Sequence, residues 1–371
     1  MNILVTGADG FIGKNLCLKL EEIGYKSILK VSRDTHQSEF DEALCKADFI
    51  FHLAGINRPK IKDDFIEGNI AFTQKLIDSL VTKNKSIPIV FSSTIHSKSY
   101  SDYGKSKRSA EKIIEKYGFE TKSKTYIYRL PNVFGKWAKP NYNSFVATFC
   151  FNIVNNKKIE VHDPDAPVEL VYIDDVCDAF INDISLNEGS GYKSIKNSYH
   201  STVGEVAKKI YKFKDTRNSL VVSNVGVGLD RALYATFLSY FNIENSTYEI
   251  VSNIDDRGAF CEFLKTESSG QLSFFTAHPG VTRGGHYHHT KNEKFLVLKG
   301  RAMFRFENVV SGKKYEIKVS DQNLTVVETI PGWSHDITNI GKDEMIVMLW
   351  ANEIYDQNKP DTIMRILKWK I

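Results

Sequence analysis

Paired cysteines are missing from this sequence. Its five cysteines (Cys17, Cys45, Cys150, Cys177 and Cys261) are scattered, with no C-x-x-C spacing. An odd, dispersed set reads as buried thiols in a reducing compartment and excludes a disulfide framework. Also missing is any apolar run near the roughly 20 residues needed to span a bilayer. The chain enters a strand-like run at once, Asn2 to Thr6, without a signal-peptide pattern. The expectation is a cytoplasmic protein with no membrane partner. No Lys/Arg block or basic face stands out, and the net charge is only +4, so nucleic acid is not an expected partner either. No internal repeat or low-complexity tract is present. The apolar and charged fractions, 42% and 25%, are those of a soluble globular protein.

A chain of 371 residues suits two domains. In the first part, short apolar runs (NILVTG, SILKVS, DFIFHLAG, IPIVFSS, TYIYRL) alternate with amphipathic stretches such as GKNLCLKLEEIG, NIAFTQKLIDSLVTKN and KSKRSAEKIIEKYG. Buried parallel strands separated by helices imply an α/β doubly wound sheet. Later the texture changes to closely spaced β-like runs, including GQLSFFTAH, EKFLVLKG, AMFRFENV and EMIVMLWANE. That spacing implies an all-β sandwich or barrel. The boundary is placed near Phe241–Glu249, giving domains 1–245 and 246–371.

Gly7, Gly10 and Gly13 form a G-x-x-G-x-x-G turn between a strand and a helix. Such a turn lets the backbone approach a pyrophosphate, which the helix N-terminus attracts. About 20 residues further on, NAD-binding chains place an acid on the ribose hydroxyl. Here the sequence reads VSRD, with Arg33 at that place and Asp34 next to it. A cation suits a 2′-phosphate, so NADPH is the expected cofactor. Tyr103 and Lys107 form a Y-x-x-x-K pair about one helical turn apart, so they share a face. The Lys cation can lower the Tyr pKa and hold the nicotinamide ribose, and Tyr can protonate a carbonyl oxygen as hydride arrives. Ser92, Ser93 and Thr94, at the end of a strand, offer hydroxyls to orient that carbonyl.

A second constellation lies in HPGVTRGGHYHHTKNEKFLVLKG, residues 278–300. His286 and His288 alternate by two, which turns both imidazoles to one face of a strand. Glu293 follows across a turn, and IPGWSHDITN later supplies His335. Three imidazoles and one carboxylate suit a borderline divalent cation with a position left open. Zn²⁺ is the expected ion if the chemistry is enolisation, which needs no redox change; Fe, Mn, Co or Ni would accept the same donors.

Residues 1 to about 240 resemble the extended short-chain dehydrogenases/reductases that act on nucleotide sugars. TGADGFIG, FHLAG, FSST, YGKSK, RLPNVFG and VYIDDV fall in that family's order. The resemblance implies a Rossmann fold with catalytic Thr94, Tyr103 and Lys107, Ser93 being the less suited hydroxyl. It implies dinucleotide contacts from Gly7, Gly10, Phe11, Ile12, Gly13, Ser32, Arg33, Leu53 and Ala54, with Tyr103 and Lys107. It also implies that Asn132 faces the substrate and that Asn57, Arg58 and Asn141 are candidate contacts to the sugar and UDP. Only about 15 residues separate Arg33 from DFIFHLAG, so a strand and helix usual in the family are expected to be deleted. Family dehydratases carry an Asp-Glu pair after the catalytic Thr. Ile95 and His96 stand there instead, which argues against water elimination.

The His286-x-His288, Glu293 and Gly332-x-x-His335-x-x-x-Asn339 spacing resembles the cupins, small double-stranded β-helix barrels that hold a metal inside. DDRGAFCEF and TRGGHYHH resemble the sugar-nucleotide epimerase branch of that fold. Across nearly its whole length the chain resembles one family, the bifunctional UDP-2-acetamido-2,6-dideoxy-L-arabino-hexul-4-ose reductases of capsular polysaccharide synthesis. That resemblance implies C3 epimerisation of a UDP-linked keto-deoxy amino sugar by the cupin, then C4 reduction by the first domain. The product would be a UDP-N-acetyl-L-talosamine-type sugar on the route to N-acetyl-L-fucosamine. Both families commonly form dimers, so a homodimer is expected. Two other readings stand beside this one: a one-step reductase with the cupin as a structural dimerisation module, and an NAD-dependent sugar-nucleotide epimerase.

Overall fold

The computed structural model describes residues 1–59, 61, 63–185, 189–255, 258–261, 264–266, 270–353 and 358–368. At 252–255, 258–261, 265 and 271 it describes the backbone alone. The DDRGAFCEF motif, residues 255–263, therefore lies partly outside the described residues, as does the Cys261 side chain. Two compact units are present. One comprises Met1–Phe134, Asn141–Ser144 and Val168–Ser201; the other comprises Gly135–Pro140, Phe145–Pro167 and Thr202–Ile371.

The first unit is built on a parallel sheet. In chain order its elements are β1 (Asn2–Thr6), α1 (Phe11–Glu22), β2 (Ser27–Val31), α2 (Gln37–Lys46), β3 (Phe49–His52), α3 (Phe72–Thr82), β4 (Ile89–Thr94), α4 (Asp102–Thr121), β5 (Thr125–Leu130) and β6 (Asn132–Phe134). Helix α5 (Phe145–Val154) belongs to the second unit; β7 (Pro167–Tyr172), α6 (Ile173–Ser185) and β8 (Gly191–Lys193) return to the first, and β9 (Tyr199–Thr202) ends it. The main sheet has the order β2-β1-β3-β4-β5-β8, and β6-β7-β9 form a small second sheet. All five pairings of the main sheet are parallel. Strands such as β1, β3 and β4 are buried along nearly their whole length because helices cover both faces of the sheet. On one face α2, α3 and α4 bury Phe40, Leu44, Leu76, Leu80, Ala110 and Ile114 against Leu4, Ile50 and Phe91. On the other, Phe180 of α6 stacks on Phe51 of β3 with ring centroids 6.2 Å apart.

Strand β2 is the sheet's edge, and α2 leads straight from it to β3 on the far side of β1. The short spacing after Arg33 thus leaves room for one helix and no further strand. A π-helical turn, Ile66–Ala71, precedes α3, where the sequence reads as plain helix from Asn69 onward.

The second unit contains α5, α7 (Val203–Ser219), β10 (Val221–Val222), α8 (Gly228–Leu238) and the β-rich end. Thr202 and Glu205 form a capping box that starts α7. The β elements are β11 (Thr247–Glu249), β12 (Ser252–Asp255), β13 (Gly258–Cys261), β14 (Lys265–Thr266), β15 (Gln271–Ala277), β16 (Thr282–Tyr287), β17 (Glu293–Lys299), β18 (Arg301–Asn308), β19 (Lys314–Ser320), β20 (Thr325–Glu328), β21 (Trp333–Asn339), β22 (Met345–Ala351) and β23 (Ile363–Met364). Two five-stranded sheets, β11-β20-β17-β22-β15 and β19-β18-β21-β16-β23, are antiparallel throughout. Phe295, Val297, Phe304, Phe306, Val327, Ile337 and Val347 fill the space they enclose. The expected fold class, a doubly wound α/β part followed by an all-β barrel, is the one found. No helix among the described residues is long and apolar enough to cross a membrane.

Candidate active site and metal centre

The dinucleotide residues expected from the sequence gather at the carboxyl ends of β1, β2 and β3, where a doubly wound sheet binds its ligand. Gly10 caps α1, and Phe11 and Ile12 open its first turn. A Cβ on Gly7, at φ +70°, would lie 2.8 Å from the Ala54 nitrogen, and one on Gly13 would lie 2.1 Å from the Gly7 oxygen. These glycines are therefore required by close backbone approach, and the cradle they leave fits a dinucleotide phosphate. Leu53 and Ala54 close the turn from β3, both donating to the Thr6 hydroxyl at 3.2 Å. Ser32 and Arg33 follow β2, and Arg33 is exposed.

Thr94 ends β4, and Tyr103 and Lys107 lie on α4, whose N-terminus Ser101 caps by accepting from Gly104 N. Tyr103 is hydrogen-bonded to Thr94. Burial raises the Tyr103 phenol above its ordinary value, and the bond to Thr94 works against that rise. Burial pushes Lys107 down to about 8, with Glu111 acting in the opposite sense. The Lys107 ammonium donates to the Ser92 carbonyl at 2.7 Å and stands 4.4 Å from the Phe91 ring centre. Ser93 is engaged elsewhere: its hydroxyl donates to Glu111, which Arg129 grips through two nitrogens at 3.0 and 2.6 Å. Of the two hydroxyls, Thr94 is the one turned to Tyr103.

The candidate substrate residues all fall in the first unit. Asn57 carries a buried side-chain oxygen with no hydrogen-bond partner among the described residues. Arg58 is exposed. Asn132 is exposed and donates to the Glu169 carbonyl at 3.2 Å. Asn141 is exposed in a left-handed conformation, φ 53°. Its neighbour Tyr142 lies close enough to influence the Tyr103 phenol, so this loop approaches Tyr103.

Three residues of this site were not singled out from the sequence. Glu111 sits one turn beyond Lys107 on the same face of α4, a spacing that could have flagged it. His52 is fully buried between Thr6 and Thr73, at 2.8 and 2.9 Å. The Thr73 hydroxyl donates to the Asn69 carbonyl, so it accepts from Nε2 of His52, and Nδ1 accepts from Thr6. Burial, and secondly the charge of Lys107, push this imidazole down to about 3, so it is neutral. Asn69, in the π-helical turn, pairs with both backbone groups of Ile56 and donates to Ser106 on α4. A continuous hydrogen-bonded path thus runs from Thr6, beside the glycine turn, to α4.

In the second unit, His286, His288, Glu293 and His335 each offer one donor atom, and these atoms all lie within 4.8 Å of one another. His286 and His335 face each other across the β16–β21 pairing. His288 stands one residue beyond β16, and Glu293 opens β17. A bulge at Gly284–His286, with Gly284 at φ +101°, turns the strand so that both histidines reach the cluster. Nε2 of His288 and Nε2 of His335 lie 3.0 and 3.2 Å from the same Glu293 oxygen.

The donor chemistry supports a cation here. Nδ1 of His288 contacts the Asp361 carbonyl, which can only accept, so Nδ1 carries the hydrogen. The Nε2 lone pair then points at a carboxylate, two acceptors that need a proton or a metal between them. Without metal, burial opposes charge on His288, but Glu293 outweighs it and holds the imidazole above its usual range. Glu293 is held well below its own range despite burial, chiefly by His288. Burial and the two other imidazoles push His286 down to about 3. Three nitrogen donors, two of them on buried histidines, and one buried carboxylate fit a divalent ion such as zinc.

A parallel-sheet nucleotide site with a Thr–Tyr–Lys set, followed by a barrel with a His₃Glu cluster, defines a two-part enzyme of the nucleotide-sugar reductase class. Residues 3–189 match the NAD dependent epimerase/dehydratase family, and residues 253–363 match the polysaccharide biosynthesis C-terminal domain. The UDP-2-acetamido-2,6-beta-L-arabino-hexul-4-ose reductase of Pseudomonas aeruginosa is 47% identical over 98% of both chains. The crystal structure of the capsular polysaccharide assembling protein CapF from Staphylococcus aureus has a TM-score of 0.68 and 39% identity, covering 99% of this chain and 100% of that one. CapF with the inhibitor 3-isopropenyl-tropolone has a TM-score of 0.64 and 38% identity, with the same coverage. The chain belongs to the family of UDP-2-acetamido-2,6-dideoxy-hexul-4-ose reductases.

Proposed function

We propose that this chain catalyses two successive steps on one UDP-linked 4-keto-6-deoxy-N-acetylhexosamine. The barrel, residues 246–371, inverts C3; the α/β part, residues 1–245, then reduces the C4 ketone with NADPH. The product is a UDP-N-acetyl-L-talosamine-type sugar on the route to N-acetyl-L-fucosamine and capsule. The observation that carries this reading is the presence in one chain of the His286–His288–Glu293–His335 cluster and the Thr94–Tyr103–Lys107 set. The name of the Pseudomonas relative supports the substrate class and the reduction. A tropolone inhibitor of CapF, whose adjacent oxygens chelate cations, is consistent with metal chemistry in the family.

A 4-keto group acidifies the neighbouring C–H bonds, so C3 can lose a proton and regain it on the opposite face. When bound, the divalent ion supplies Lewis acidity for the developing enolate charge. His286, His288, Glu293 and His335 would hold that ion; zinc is our choice because the step needs no redox change, and Fe, Mn, Co or Ni would suit the same donors. When bound, the dinucleotide supplies hydride to C4. Tyr103 donates its phenolic proton to the C4 oxygen, and burial raises that phenol above its ordinary value, on the protonated side. Thr94 orients the carbonyl, and the Lys107 cation stabilises the phenolate left behind. Arg33, exposed at the end of β2 in place of an acid, favours a 2′-phosphate and hence NADPH. Epimerisation alone is reversible, and the reduction draws it forward. We place the enzyme in the cytoplasm as a homodimer, a state that its mass in solution reads directly.

The test uses the full chain with a UDP-4-keto-6-deoxy-HexNAc. Expected are one NADPH oxidised per sugar, and C3 proton exchange that persists without NADPH but stops when the metal is removed by chelation. A chelated chain that still exchanges C3 contradicts the metal role, and reduction without any C3 exchange reduces the barrel to a structural module.

A further inference from the structure

We propose that Asp361 is the positioning residue of the metal centre: its backbone carbonyl fixes the tautomer of His288, and its carboxylate pins the turn between His288 and Glu293. The inference rests on reading the histidine cluster as a metal site.

Asp361 is separated from its partners by about 70 positions of chain, yet both its carboxylate oxygens are directed at one turn and its carbonyl at the histidine that precedes that turn. One carboxylate oxygen accepts from His289 N at 2.9 Å. The other accepts from Thr290 N at 2.6 Å, from Lys291 N at 2.7 Å and from the Thr290 hydroxyl at 2.9 Å. The Asp361 carbonyl accepts from Nδ1 of His288. Three successive N–H groups, part-buried in this turn, would otherwise lack a protein partner, a costly state. Converging on one anion, they form a backbone nest. The turn is four residues long, His289 to Asn292, and it sets the distance between two ligands. Its other side is held independently: Arg231 donates to the Thr290 hydroxyl, and Asn292 and Asn352 exchange bonds at 2.9 and 3.1 Å.

The chemistry selects a carboxylate at position 361. A carboxylate only accepts, and its two oxygens offer about four lone-pair sites for the four donors present. A carboxamide of the same shape would turn an NH₂ toward N–H groups and keep one acceptor. With the segment displaced, Nδ1 of His288 loses the carbonyl, and the imidazole can place its hydrogen on Nε2, where a ligand lone pair is needed. Outer partners of this kind commonly alter metal affinity by about 10–100-fold.

The test compares the full-length wild type with Asp361→Asn. Zn²⁺ affinity is read by competition with a chromogenic chelator, the His288 tautomer by ¹⁵N NMR of the Zn²⁺-loaded chain, and NADPH binding by fluorescence. Expected are a loss of Zn²⁺ affinity of about 10–100-fold, a mixed His288 tautomer, and unchanged NADPH binding. A purely structural role would lower the melting temperature without shifting the tautomer. Should Asp361→Asn fold poorly, Asp361→Glu keeps the acceptors but moves them a methylene further from the carbonyl, and it is expected to lower affinity less while still mixing the tautomers. Wild-type affinity and a single Nδ1–H tautomer in a folded variant overturn the proposal. A wild-type chain that takes up no Zn²⁺ instead overturns the metal reading on which it rests.

Discussion

Ser93 and Thr94 are adjacent hydroxyls with different partners, Glu111 for one and Tyr103 for the other. That division predicts different consequences for their removal. Thr94→Val is expected to lower kcat/KM by about 10–100-fold, the value of one lost transition-state hydrogen bond, with little change in stability. Ser93→Ala is expected to leave kcat nearly unchanged and to lower stability by about 1 kcal/mol. Tyr103→Phe removes the proton donor and is expected to cost about 10²–10⁴-fold in kcat while NADPH still binds. Steady-state kinetics with urea unfolding on the same variants reads all three. Equal effects of the two hydroxyl variants on kcat/KM would contradict the assignment of Thr94.

Among the elements of the second unit, β17, β20 and α7 meet in a buried charge cluster. Lys294 on β17 pairs with Glu328 on β20, and both are at most 3% exposed. Arg217 on α7 reaches the other Glu328 oxygen at 2.5 Å, and the Tyr248 hydroxyl of β11 lies 3.0 Å from the Lys294 ammonium. Removing one member of a buried pair costs about 3–5 kcal/mol because the other is left uncompensated. The two single variants are not equivalent. Lys294→Met leaves Glu328 with Arg217, whereas Glu328→Gln leaves the buried Lys294 cation facing neutral acceptors, an amide oxygen and the Tyr248 hydroxyl. Glu328→Gln is therefore expected to be the more destabilising in urea unfolding, and the reverse order would contradict this account. The cluster was not legible in the sequence. Lys294, Glu328 and Arg217 lie in three separate segments, and nothing in their spacing announces that they meet. Helix α4 and the bulged strand β16 are the opposite case. Their functional residues lie within a few positions of one another, so helical or strand periodicity alone placed them together.

Over the whole molecule, the same contrast divides what could be read in advance. The alternation of apolar runs and amphipathic stretches gave away the parallel sheet, and dense short runs gave away the barrel, because both follow from local periodicity. The π-helical turn at Ile66–Ala71, the neutral His52 and the return of Asp361 to the turn at His289–Asn292 depend on long-range packing, which one sequence does not display. The helices α5, α7 and α8 also cluster with the barrel, although their sequence resembles the reductase part. His52 gives stability a pH dependence. Its folded pKa of about 3 lies below the ordinary 6.5, so below pH 6.5 the unfolded chain takes up a proton that the folded chain refuses. Stability is thus expected to fall as pH drops from 6.5 toward 3, with His52 contributing about 1.4 kcal/mol by pH 5.5, one pKa unit below its ordinary value. Glu328, held below its ordinary 4.5 by Lys294 and Arg217 despite its burial, adds a second loss as pH falls below 4.5. An NMR titration in which the His52 imidazole protonates near pH 6 would contradict the first step.

The central claim is that one chain inverts C3 and then reduces C4 of the same sugar. Its most direct test is NMR of the product formed from a UDP-4-keto-6-deoxy-HexNAc by the metal-loaded chain with NADPH in D₂O. The account predicts deuterium at C3, inverted configuration there, and a new hydroxyl at C4. A product that keeps its original C3 proton and configuration, or a ketone recovered unreduced, would contradict it.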